Sequence, residues 1–199
     1  YIDEPPYGQC ATMPSCWMSV DKPGLDQVAV RKAIAMATDY DQIIASAMSN
    51  QSPTFTDVPR STMNPTDGEQ ALYDHDAVKD LQFAGNDVDG ANALLDEAGI
   101  VDSDGDGIRE YNGTPLSFKA ECPDGWTDWM ASLEIVAASA KKIGIDIQTF
   151  FPDTNTFYDD ITTGNFDICM NSPSGSSITN PWGRCMQFLS SQYADLAVN

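Results

Sequence analysis

Two groups of side chains in this 199-residue sequence have the types and spacing for chemistry. The first is DSDGDG, Asp102 to Gly107, in which Asp102, Asp104 and Asp106 set carboxylates at alternate positions ahead of a glycine. That is the opening of a loop that wraps a hard, oxygen-seeking cation such as calcium. The pattern then departs from such a loop. Its twelfth position, where a bidentate acid is expected, is Gly113, and Glu110 falls at the ninth. An acidic turn joining a helix to a hairpin, with glycines supplying positive φ, accounts for the same residues without a metal. The second group is GWTDWM, Gly125 to Met130. Flat indole faces at Trp126 and Trp129 suit stacking on pyranose rings or clamping of apolar side chains. Three residues apart, they equally suit the start of a buried helical stripe. Asp128 between them can accept hydroxyl groups or favour a helix N-terminus electrostatically.

Other chemistry is poorly represented. The sequence holds no GxSxG, no HExxH and no Walker-type glycine loop. Its one histidine, His75, sits in a polar DHD segment, the setting of a solvated side chain. Adjacent Asp159 and Asp160 would point in different directions on a helix and make a poor glycosidase pair. Five cysteines, at 10, 16, 122, 169 and 185, include no CxxC pair, which argues against zinc and redox dithiols. Cys10 and Cys16 are near enough for a small disulfide loop, with buried free thiols as the alternative. Thirty acidic against ten basic residues give a formal charge of −20, which repels nucleic acid and anionic lipid.

The elements that must position these groups follow from periodicity. An alternating run from Pro115 to Cys122 predicts a strand. Trp126, Trp129, Leu133, Val136, Ala140 and Ile143 then fall on one face of a helix closed by Gly144. Ile145, Ile147, Phe150 and Phe151 predict a second strand, a short helix ends at Gly164, and Phe166 to Met170 predicts a third strand. This β-α-β-α-β order predicts a layered α/β domain. Upstream, a strand is expected at Ser15 to Val20, then a helix capped by Asp26 with Val30, Ile34, Ala37, Ile44 and Met48 on one side. A long loop should occupy Gln51 to Thr66, and a helix beginning at Asp89 should stop at Gly99. Leu72 to Ala84 fits either a helix or an irregular insert. After Met170 comes a Ser/Gly-rich loop holding Asn171, Ser172 and Gly175, with Trp182 beyond it. Ligand sites of α/β sheets tend to lie at such strand ends.

Four segments, in order, resemble the extracellular solute-binding proteins of bacterial ABC importers, family 5, the oligopeptide-binding class. They are VAVRKAIAMATDYDQII from Val28, GANALLDEAGIVDSDGDGIREYNGTPLSF from Gly90, KKIGIDIQ from Lys141 and GNFDI from Gly164. The GWTDWM run is most similar to members that carry oligosaccharides. The resemblance implies a lobe of the periplasmic-binding-protein type II fold, a mixed sheet flanked by helices, within a longer two-lobed protein. Residues 1–25 would be a connector and first strand, and 26–199 an incomplete carboxyl-proximal lobe. It further implies a monomeric, non-enzymatic receptor outside the cell or in the periplasm, tethered through a segment beyond this sequence. Such a receptor would need no cofactor, would capture an oligosaccharide or peptide, and would deliver it to membrane permease subunits. Trp126, Trp129, Asp128, Asn171, Ser172, Gly175 and Trp182 are the expected ligand contacts. The rival expectation is a calcium-dependent adhesion or scaffold module built on Asp102, Asp104 and Asp106.

Overall fold

The computed structural model describes residues 14–51, 74–79 and 85–172. Its strands are β1 (Ser15–Met18), β2 (Glu110–Tyr111), β3 (Thr114–Pro115), β4 (Ser117–Glu121), β5 (Asp146–Phe150) and β6 (Ile168–Asn171). Its α-helices are α1 (Val28–Ala37), α2 (Tyr40–Gln42), α3 (His75–Val78), α4 (Val88–Glu97), α5 (Thr127–Lys141) and α6 (Thr154–Thr163), with a π-helical turn at Ile43–Ala47. The predicted loop between Gln51 and Thr66, most of Leu72 to Ala84, and Cys10, Gly175, Trp182 and Cys185 lie outside the described residues.

Four strands form one mixed sheet in the order β1-β6-β4-β5. β4 runs parallel to both β5 and β6, whereas β1 is antiparallel to β6 with Ser15 opposite Asn171. β2 and β3 pair separately as a hairpin. Alternation decides which side chains meet which layer. Phe118, Ala120, Ile147, Ile168 and Met170 join α1, α4 and α5 in the main core. Cys169 and, partly, Trp17 point the other way and pack with Phe157, Ile161 and Phe166 around α6. The sheet is therefore covered by helices on both faces, as the β-α-β-α-β pattern predicts.

Local chemistry explains the helix ends. Asp153 caps α6, its carboxylate accepting from the Asn155 and Thr156 amides, and Gly164 closes that helix in the left-handed region at φ 76°. Asp87 caps α4 by accepting from the Gly90 amide at 2.9 Å, so the helix begins at Val88, one residue before the expected start. Two expectations for the first helix need correction. Asp26 does not cap it, because its carboxylate turns back to the Gly24 amide at 2.8 Å. Nor does one helix run on to Met48. Thr38 leaves α1 with extended backbone while its hydroxyl donates to the Ile34 carbonyl at 2.7 Å, and Asp39 starts α2 by accepting from the Gln42 amide. These short polar side chains satisfy backbone groups that a continuous helix would have used.

Candidate functional site

The chain moves from β4 outward to β5 through α5, then returns through α6, on the opposite face, to β6 on the far side of β4. Strand order thus reverses between β4 and β6. Above the carboxyl ends of two such strands, departing connections diverge and leave a crevice, the usual ligand position in α/β sheets. Three segments meet this edge: the loop after β4 leading to Trp126, the loop after β5, and Asn171–Ser172 at the end of β6. The first two are joined by the Asp124 amide donating to the Pro152 carbonyl at 2.8 Å. Ser15 is brought in by β1, opposite Asn171.

At this edge the two indoles play different parts. Trp129 is 8% exposed and belongs to the main core, continuing through Leu133, Val136 and Ala140 as a buried stripe. Trp126 is 37% exposed at the start of α5 and packs against the Trp129 ring in a T-shaped contact with centroids 4.6 Å apart. The buried indole fixes the exposed one, the arrangement a stacking platform requires. Asp128 sits in the first turn of α5, where the helix field favours a carboxylate, with no side-chain cap on that helix. Asn171 and Ser172 are half-buried, and the Asn171 side-chain oxygen accepts from the Ser172 amide at 2.8 Å.

The acidic turn forms a more complete cluster than its spacing alone implies. Ligand atoms of Asp102, Asp104, Asp106 and Glu110 lie within 4.8 Å of one another. Glu110 reaches it as the first residue of β2 and accepts from the Ser103 amide at 2.7 Å. Asp102 accepts from the Gly105 and Gly107 amides, Asp104 from Asp106, and Asp106 from Ile108. These amides hold the carboxylates as Asx-type turns, so the loop is shaped without an ion. Beside it, Arg109 is clamped by Asp96, Asn92 and the carbonyls of Ile100 and Ile143.

The proposed loop between Cys10 and Cys16 is not supported at Cys16, which is a free thiol packed toward the main core. Burial pushes Cys16 and Cys122 up to about 12, aided at Cys122 by the Asp128 carboxylate, and raises Cys169 as well. Thiols held protonated in this way are inert packing groups. Glu121, the last residue of β4, carries no sequence signal that marks it. It lies on the polar side of an alternating strand, yet it is fully buried.

Residues 10–195 match the family described as bacterial extracellular solute-binding proteins, family 5 Middle. A periplasmic oligopeptide-binding protein of an ABC transporter from Thermotoga maritima, solved with mannohexaose bound, superimposes with a TM-score of 0.81. That match has 30% identity over 93% of this chain and 34% of that one. The oligopeptide-binding protein AppA of Bacillus subtilis is 24% identical over 141 residues, 70% of this chain and 24% of AppA. NikA of Brucella suis, solved with Fe(III)-EDTA, shares the fold with a TM-score of 0.69 at 24% identity. This chain therefore spans about a third of the Thermotoga protein and a quarter of AppA. None of these relatives supports the adhesion-module alternative, and among the described residues no helix is long and apolar enough to cross a membrane. With the family match extending over nearly the whole sequence and a fold shared at this level, the chain belongs to the bacterial extracellular solute-binding proteins, family 5.

Proposed function

We propose that this chain forms one wall of a receptor that captures short oligomers and hands them to the permease of an ABC importer. The supporting observation is Trp126, half-exposed and braced by Trp129 at the edge where strand order reverses. Two lobes would close on the ligand without chemistry, burying it between aromatic and planar polar groups. Asn171 and Ser172 at the end of β6 would supply polar contacts. Trp129 would act through Trp126, and Asp128 through the helix terminus. Gly175 and Trp182 complete the proposed contact set from outside the described residues.

Between ligand classes, the exposed indole favours an oligosaccharide over a peptide, because neutral sugars need stacking faces whereas peptide termini need charge partners. The mannohexaose-bound relative supports this choice. A monomer tethered outside the membrane or in the periplasm would suit that task. The test is a tryptophan fluorescence titration of the full-length protein with manno- and gluco-oligosaccharides and with di- to pentapeptides. Saturable quenching or enhancement by sugars should be weakened at least tenfold by Trp126→Ala, about 1.4 kcal/mol of binding. A response to peptides alone would move the ligand to the oligopeptide class.

The four-carboxylate turn supports a calcium site, a structural adjunct to capture. Calcium should raise the melting temperature of the parent, and Asp106→Ala should abolish that rise. Unchanged melting of the parent with millimolar calcium would remove the proposal.

A further inference from the structure

The sheet face covered by α6 carries more carboxylate than its lysines answer. Asp167, just before β6, is satisfied: Oδ1 lies 2.8 Å from Lys22 Nζ, and Oδ2 accepts from the Lys119 amide at 2.9 Å. Asp160 on α6, 8% exposed, accepts from Asn165 Nδ2 at 2.7 Å. Glu121 is different. It is 0% exposed, and its Oε2 is ion-paired with Lys119 Nζ at 2.9 Å. Among the described residues, its Oε1 has no donor. A buried carboxylate with so little compensation is costly in its charged form.

Among the described residues, the charged and titratable groups around Glu121 come from β4, from α6, and from β6 and the residue leading into it. Lys119 is on its own strand, Asp160 is on α6, Asp167 leads into β6, and the Cys169 thiol is its register partner in β6. Its register neighbour in β5, Phe150, and Trp17 beyond Cys169 in β1 carry no charge. Burial raises the Glu121 carboxyl above the ordinary glutamate range, Lys119 opposes that rise, and Asp160 and Asp167 add to it.

We propose that Glu121 is an acid-sensing residue of this lobe: a buried proton-binding carboxylate whose protonation dissolves the ion pair with Lys119 and frees that lysine to solvent. The lysine has somewhere to go. Its side chain is 38% exposed, and its ammonium already lies 5.0 Å from the centre of the exposed Phe150 ring. Glu121 also ends β4 and is followed directly by the loop that presents Trp126. Proton uptake therefore occurs at the base of the candidate site, although the inference rests on the buried cluster and not on ligand capture.

The test follows thermal unfolding of the intact chain from about pH 8 to about pH 4, comparing the parent with Glu121→Gln, which mimics the protonated state. Between the ordinary glutamate range and the raised one, the folded state keeps a proton that the unfolded chain has lost. The contribution of Glu121 to parent stability then falls as pH rises through that window. Glu121→Gln should melt higher than the parent near pH 7, by about 3 °C or more, and the gap should close on acidification. Lys119→Met, which removes the one group among the described residues that favours the charged form, should move the loss of stability to higher pH. A gap that is independent of pH, or that widens as pH falls, overturns the proposal. A carbon-13 NMR titration of the Glu121 carboxyl in the parent reads the proton without relying on a variant's folding. Its midpoint should lie above the ordinary glutamate value, and one at or below that value overturns the proposal as well.

Discussion

Arg109 shows how much one side chain can organise. Its guanidinium and backbone join the end of α4, the acidic turn and the turn after α5, through Asn92, Asp96, Ile100, Ile143 and Gly144. Gly144 takes φ 73°, and a Cβ there would stand 3.0 Å from Arg109 Cγ, so glycine serves both the turn and the approach of the arginine stem. Lysine cannot replace a planar fork that donates in several directions at once. Arg109→Lys should destabilise by about 2 kcal/mol, and Arg109→Ala by more, measured by urea unfolding. Equal stability of parent and Arg109→Lys would show the fork to be dispensable. None of this was legible in the sequence, where Arg109 is one of ten basic residues in an acidic chain. The role of Glu110 was half legible: its ninth position was noted, but only the β2–β3 hairpin brings its carboxylate to the three aspartates. Trp126 and Trp129 were legible as a pair, and burial alone separated them.

At the scale of elements, periodicity carried furthest where helix and strand alternate. Between Pro115 and Met170 the predicted and observed elements agree within a few residues, because each has an apolar stripe and most have a glycine or capping aspartate at an end. Alternation within β4 placed Glu121 on a polar side, and nothing local revealed that α6 would cover it. The first helix failed for a different reason. Its apolar spacing continues past Ala37, but Thr38 and Asp39 compete locally for backbone groups, an effect that periodicity does not register. Capping yields a pH prediction for α6. The Thr156 hydroxyl and amide hold the Asp153 carboxyl below its ordinary range, with the Asn155 amide helping. A depressed carboxyl stabilises the fold above its unfolded-state range and loses that contribution as pH falls through the folded value. Asp153→Ala should therefore melt lower than the parent near neutral pH, with the difference shrinking below about pH 4. A deficit that persisted unchanged into acid would mean the cap acts by shape instead of charge.

Across the whole molecule, the formal charge of −20 places repulsion among the carboxylates in opposition to compaction. Melting temperature should rise as sodium chloride is increased from about 10 mM to about 150 mM, because the screening length falls to about 8 Å. A fall would mean that attractive pairs such as Lys22–Asp167 outweigh the repulsion. The sheet has another whole-chain property in its outermost strand. β1 begins at Ser15, yet its partner β6 ends at Asn171. A ribosome delivers these two strands far apart in time: β1 waits, unpaired, until Ile168–Asn171 has emerged. Closing so long a loop is slow. The four-stranded sheet consequently cannot be completed until Asn171 has emerged, and before that point β1 and β4 stay without their full set of strand partners.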